Sequence, residues 1–187
     1  MGRLVRRKLA EMSEEQQELF RQIADGRKGV EDGHIGGPFD AWILNPATGR
    51  RLNQLGGALR FKPTMDRRYV ELAILYTGQL WQAQFEWFAH EPMARDAGLP
   101  EEVIQALKVG RPPEFTDEGD EAAWNFCRVL HRERKVDDAT YARAVEVFDE
   151  SGVEDLVNAC GLYTLVCMTL NTFEVDLPNG AIPPFPT

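Results

Sequence analysis

Three ionisable residues interrupt stretches that are otherwise apolar at helical spacing: Glu71, Glu86 and His90. An ionisable group in such a place costs several kcal/mol unless it is paired or used. Glu86 and His90 stand four residues apart, so on a helix they share a face, and a carboxylate there can orient and charge an imidazole. That chemistry is general acid–base work near neutral pH. Glu71 lies about 28 Å from His90 along a single straight helix at 1.5 Å per residue. Only a chain reversal brings the two together, and Thr77-Gly78 is the expected place for it, giving a site between two packed helices. By spacing alone, a Glu/His pair at i, i+4 is more often a helix-stabilising contact, and Trp81, Phe85, Trp87 and Phe88 are core by default. His34 and His131 read as solvent-exposed, and Asn171 as satisfied by the backbone of a neighbouring segment.

The elements that must position these residues are helices. Ser13 and Gln16 form a capping box that opens a short helix ending before Gly26. The glycine-rich stretch from Gly26 to Pro38 matches neither a Walker A pattern nor a dinucleotide fingerprint, so phosphate binding is not expected there. A short helix over 39–44 ends at Asn45-Pro46, and Leu52, Leu55 and Leu59 carry helical spacing to Lys62-Pro63. Thr64 is placed to cap the Glu71 helix, which is apolar almost all round and reads as buried on every side. The His90 helix runs to Gly98, and Pro100 opens the next at N1, ending near Gly110. Amphipathic helices are expected over 118–134 and 138–150, the latter closed by Gly152, and an apolar helix over 153–173. The proline-rich tail over 178–186 cannot be helical and is expected to lie across a neighbouring surface. No period-two alternation appears, so the class is all-α, with one domain overall: an N-terminal helix and loop over 1–36 and a helical unit over 37–187.

At 187 residues, with 43% hydrophobic and 27% charged residues, the chain has globular composition. The net charge of -9 argues against general nucleic-acid binding, which needs clustered Lys and Arg. The start lacks a secretory h-region, and the apolar run over 159–170 is too short to span a bilayer, so a cytoplasmic protein with no membrane partner is expected. Cys127, Cys160 and Cys167 show no metal-ligand spacing and read as buried helical thiols, so no metal site is expected from them.

At these same residues the chain resembles the carboxymuconolactone decarboxylase and alkylhydroperoxidase D superfamily. Its redox branch carries a glutamate, eleven residues, Cys-x-x-Cys, three residues and a histidine. Glu71 and His90 match the glutamate and histidine at the same spacing, while Ala83 and Glu86 occupy the cysteine positions. The resemblance extends over Gly37-Pro38-Phe39, Leu55-Gly56, Glu71 to Leu75, Glu86-Trp87, His90, Ala97-Gly98-Leu99 and Leu170-Asn171-x-Phe173-Glu174-Val175, most of the chain beyond residue 36. It implies an alkylhydroperoxidase D-like helical bundle with a central hairpin, assembled as a homo-oligomer, trimer or hexamer. Ala83 can form no disulfide, so peroxidase chemistry by a thiol pair is not expected. The remaining branch implies a cofactor-independent carbon–carbon lyase acting on a small carboxylated lactone. In that reading His90 delivers a proton, Glu86 orients it, and Glu71 is a second acid or hydrogen-bond donor. Phe85 and Trp87 would line the substrate site, with Arg60, Arg67 or Arg68 receiving a carboxylate, Arg60 foremost. A lactone isomerase or hydrolase, or a non-catalytic binding protein on the same scaffold, is the alternative.

Overall fold

The computed structural model describes residues 2–178 and 180–186. It is all-helical: a 3₁₀ turn at Leu9–Glu11, then α1 (Glu14–Ala24), α2 (Phe39–Ile43), α3 (Pro46–Phe61), α4 (Arg67–Leu80), α5 (Gln84–Asp96), α6 (Glu101–Lys108), α7 (Glu118–Glu133) and α8 (Asp138–Thr172). No strand occurs among the described residues, only an isolated bridge between Glu31 and His34.

Helix α4 is the centre of the fold, packing against α5, α7 and α8. Its residues from Val70 to Gly78 are all buried, as its all-round apolar character requires. Asp66, not Thr64, caps it, accepting from the Arg68 N–H. Thr64 instead donates its backbone N–H and its hydroxyl to Asp155 on α8, at 2.6 and 2.7 Å.

The reversal between α4 and α5 does not fall at Thr77-Gly78. Both lie inside α4, and the chain turns at Trp81–Ala83, where Gln82 takes φ 49°. The Trp81 carbonyl accepts from the Asn171 side chain at 2.8 Å, the backbone partner expected for that residue. Gly78 serves packing: a Cβ there would stand 3.6 Å from Glu86 Cγ and 3.8 Å from the Trp87 nitrogen. These are ordinary contact distances, so α5 crosses α4 here with room for no more than a small residue. Helix α5 contains Pro92 and ends before Gly98 in the left-handed region at φ 88°, as a C′ glycine should. Pro100 sits at the N-cap of α6 rather than at N1, one residue early.

The two helices expected over 138–150 and 153–173 are one element broken at Asp149, which takes φ 58° and ψ 174°. The break is therefore not at Gly152, which is buried against Phe148 and Met65. Helix α8 is long and apolar enough to cross a membrane, with 56% of its most apolar window buried inside the molecule. Its inner face, including Leu156, Tyr163, Val166 and Leu170, packs into the main core.

The N-terminal helix has a small core of its own, Leu19, Phe20 and Ile23 with Ile43; Phe39 packs against both clusters and joins them. The proline-rich tail lies across α5, as expected: Gln84 and the Phe185 backbone exchange hydrogen bonds at 3.0 and 2.9 Å, and Phe185 packs edge-on against Trp87.

Candidate active site

The α4–α5 hairpin brings Glu71, Glu86 and His90 together in the interior, each less than a tenth exposed. His90 Nδ1 lies 2.8 Å from Glu71 Oε2, and its Nε2 lies 3.3 Å from Glu86 Oε1. The first contact is a hydrogen bond. The second has the distance of an ion pair, but Glu86 Oε1 makes no hydrogen bond. Glu71, rather than the i, i+4 neighbour Glu86, therefore orients the imidazole. It accepts from Nδ1–H, which leaves Nε2 turned toward Glu86. The other oxygen of Glu71 accepts from Arg67 Nε and Nη2 at 3.3 and 3.2 Å, so this buried carboxylate is paired on both sides. Tyr163 of α8 stands edge-on to the imidazole at 5.2 Å and braces its plane.

Glu86 and His90 form part of the wall of a cavity of about 310 Å³; Glu71 does not, and stands behind the imidazole. Burial raises the Glu86 pKa above the ordinary carboxylate value, with the His90 charge opposing and the Glu71 charge adding to the rise. For His90, burial pushes downward, but the Glu86 charge and the Glu71 hydrogen bond outweigh it, so its pKa lies above the ordinary imidazole value. Both shifts favour the protonated forms at the cavity wall, and because each charge moves the other's pKa the two groups titrate as a coupled pair. Such an arrangement can hand a proton to a bound molecule at neutral pH.

Of the arginines proposed from sequence, Arg60 lines the cavity. Arg67 is committed to Glu71, and Arg68 pairs with Asp117 and Asp120 at 3.0 and 3.1 Å. Phe85 lines the cavity as expected; Trp87 does not. Its side chain is wholly buried and faces Phe185, because helical rotation turns residue 87 about 100° away from residue 86.

Sequence reasoning missed Arg27 and Lys28, which join the cavity wall from the glycine-rich loop. Arg27 donates to the Ile23 carbonyl at 2.7 Å, and its guanidinium lies 4.1 Å from the centroid of the Phe39 ring. Burial and then the Arg60 charge lower its pKa, as two cations meeting at one cavity require. The adjacent cations after α1 were a local signal, but which wall they reach depends on the path of the loop. Tyr163 also signalled itself, as a polar tip on the apolar last helix.

His34 and His131 are not the freely exposed residues expected. His34 Nδ1 lies 2.5 Å from Asp40 Oδ2, and His131 Nε2 lies 3.0 Å from the Thr77 hydroxyl, both partly buried. The three cysteines are free and buried, and none lines the cavity. Among the described residues no group of three or more His, Cys, Asp or Glu is placed to hold a metal ion.

No family model matches the chain, and no curated protein matches it. Solved structures do. An uncharacterized peroxidase-related protein from Ralstonia eutropha JMP134, described as an alkylhydroperoxidase AhpD core, superposes with a TM-score of 0.75 at 15% identity, over 95% of this chain and 93% of that one. An uncharacterized peroxidase-related protein from Silicibacter sp. TM1040 gives 0.72 at 12% identity, over 96% and 92%. A protein of unknown function from Agrobacterium tumefaciens gives 0.63 at 16% identity, over 72% and 93%. The chain therefore has the alkylhydroperoxidase D-like fold, with Ala83 and Glu86 where the resemblance sets the cysteine pair.

Proposed function

We propose that the protein is a cofactor-independent lyase that decarboxylates a small carboxylated lactone in the cavity between α3, α5, α8 and the glycine-rich loop. One observation carries this reading: His90 Nε2 stands 3.3 Å from Glu86 Oε1 at the wall of a cavity whose other polar groups include Arg27, Lys28 and Arg60. Cations there suit an anionic substrate in a protein of net charge -9. In the reaction the bond to the carboxylate carbon breaks and CO₂ leaves. Its electron pair passes through the ring double bond to the lactone carbonyl, whose developing oxyanion a guanidinium neutralises. The resulting enolate carbon takes the proton held by His90 and Glu86. Phe85, Phe39 and Trp42 keep the site largely apolar, which strengthens these charge interactions.

A disulfide peroxidase is disfavoured, although two structural neighbours are called peroxidase-related. Ala83 has no sulfur, and Cys127, Cys160 and Cys167 lie off the cavity. The test is CO₂ release from a carboxymuconolactone-type substrate, read beside its binding by calorimetry. Release that survives complete thiol alkylation is the expected result. Binding without release would leave a non-catalytic binding protein, and neither would remove the lactone reading.

The same reading includes a cytoplasmic homo-oligomer, trimer or hexamer. Val157, Leu165 and Met168 form an exposed apolar stripe on α8, and Gly161 within it has open space beside it. Such a stripe suits a second helix at close approach. Light scattering should give a multiple of three times the 21.2 kDa chain; a clean monomer at micromolar concentration would contradict assembly.

A further inference from the structure

A second cavity, of about 270 Å³, lies between α4, α6 and α7, and shares no residue with the first. Arg111, Arg128 and Arg132 contribute to its wall together with Tyr76, Gln79 and Trp124. Several arginines of this acidic chain are held by carboxylates, as Arg67, Arg68, Arg95 and Arg143 are. Among the described residues, none of the three around this cavity is in an ion pair. Gathering like charges without counter-charges costs free energy, and the cost is recovered when an anion binds.

The rest of the wall is ready for such a guest. Arg128 is held in place, donating to the Asn125 side chain at 2.7 Å with its guanidinium 5.4 Å from the Trp124 ring centroid. Tyr76 is 5% exposed; its hydroxyl oxygen faces the Arg132 guanidinium, and its O–H proton has no acceptor. A buried hydroxyl left so is an exception to the rule that buried polar groups are paired, and a ligand oxygen would satisfy it.

We propose that this cavity is a binding site for a phosphoryl group, separate from the cavity at His90. Three guanidinium groups call for more than the single charge of a carboxylate, and their flat forks match phosphate oxygens two at a time. Beyond the phosphoryl group, the volume leaves room for a small organic part beside Trp124.

Titration calorimetry and ³¹P NMR with inorganic phosphate, at constant ionic strength against chloride, test this. The expected result is saturable binding that weakens with added salt. Replacing two charged contacts in the double variant Arg111→Gln/Arg132→Gln should weaken it by about tenfold or more. Both side chains are exposed, so the variant should melt like the parent. Arg27→Gln/Arg60→Gln, at the first cavity, should bind phosphate as the parent does. Absence of saturable binding, survival of binding in the first double variant, or its loss in the second would each overturn the proposal. Phenyl phosphate binding more tightly than inorganic phosphate would assign a phosphate ester as the ligand, and equal binding the free ion.

Discussion

His90→Ala should lower turnover of the carboxylated lactone by ~10² to 10⁴, the usual worth of general acid–base catalysis, with a much smaller loss of stability. The fold tolerates the change because Glu71 keeps Arg67 as its partner. Glu71→Gln can still accept from Nδ1–H but loses its charge. As a positioning residue it should lower turnover less than His90→Ala and shift the alkaline limb of the pH profile downward, since Glu71 helps hold the His90 pKa up. A Glu71→Gln profile with an unmoved limb would mean that this carboxylate only supports the fold. Glu86→Gln should abolish the shared titration altogether.

The same groups tie stability to pH. The raised Glu86 pKa means that the folded protein favours the neutral acid, so its cost is absent below 4.5 and grows as pH rises toward the folded value. The raised His90 pKa contributes stability that is present below 6.5 and lost as pH rises through the folded value. Both shifts have the folded state binding more protons than the unfolded one, so both make stability fall with rising pH, the Glu86 shift from 4.5 upward and the His90 shift from 6.5 upward. Glu86→Gln removes one shift and the largest upward influence on the other. Urea denaturation of the variant should therefore show a flatter pH dependence than wild type; equal slopes would place the proton elsewhere.

Trp87→Ala should cost ~3–5 kcal/mol in folding free energy, the range for emptying a large aromatic from a packed core. Trp87 is 0% exposed and packs edge-on to Phe185 with ring centroids 5.3 Å apart, so the change opens a void beneath the tail and loosens α5. Its indole N–H has no hydrogen-bond partner, so Trp87→Phe should retain most of the stability. Substrate affinity of the Phe variant should match wild type, because Trp87 stands outside the cavity that holds Phe85. Reduced affinity with unchanged stability would restore Trp87 to the substrate site.

What was local in the sequence was legible there. The capping box at Ser13 and Gln16, the all-round apolar run of α4, the glycine after α5 and the proline-rich tail each announce an element by side-chain chemistry within a few residues. So did the Glu71, Glu86 and His90 set, because an ionisable group in an apolar helix is visible without coordinates. What the hairpin does with these groups was decided in three dimensions. The turn lies at Gln82 rather than Gly78, because the buried run of α4 continues through Gly78, where α5 crosses it, and the helix to Leu80. That crossing put Glu71 against Nδ1 and left Glu86 at the cavity wall, the reverse of the assignment from i, i+4 spacing. Arg27 reaches the cavity from more than thirty residues before Arg60, and Arg111, in the loop after α6, shares a cavity wall with Arg132 of α7. Local propensity determines the helices, but the faces that meet are chosen by burial of apolar area across the whole chain, which no short window contains.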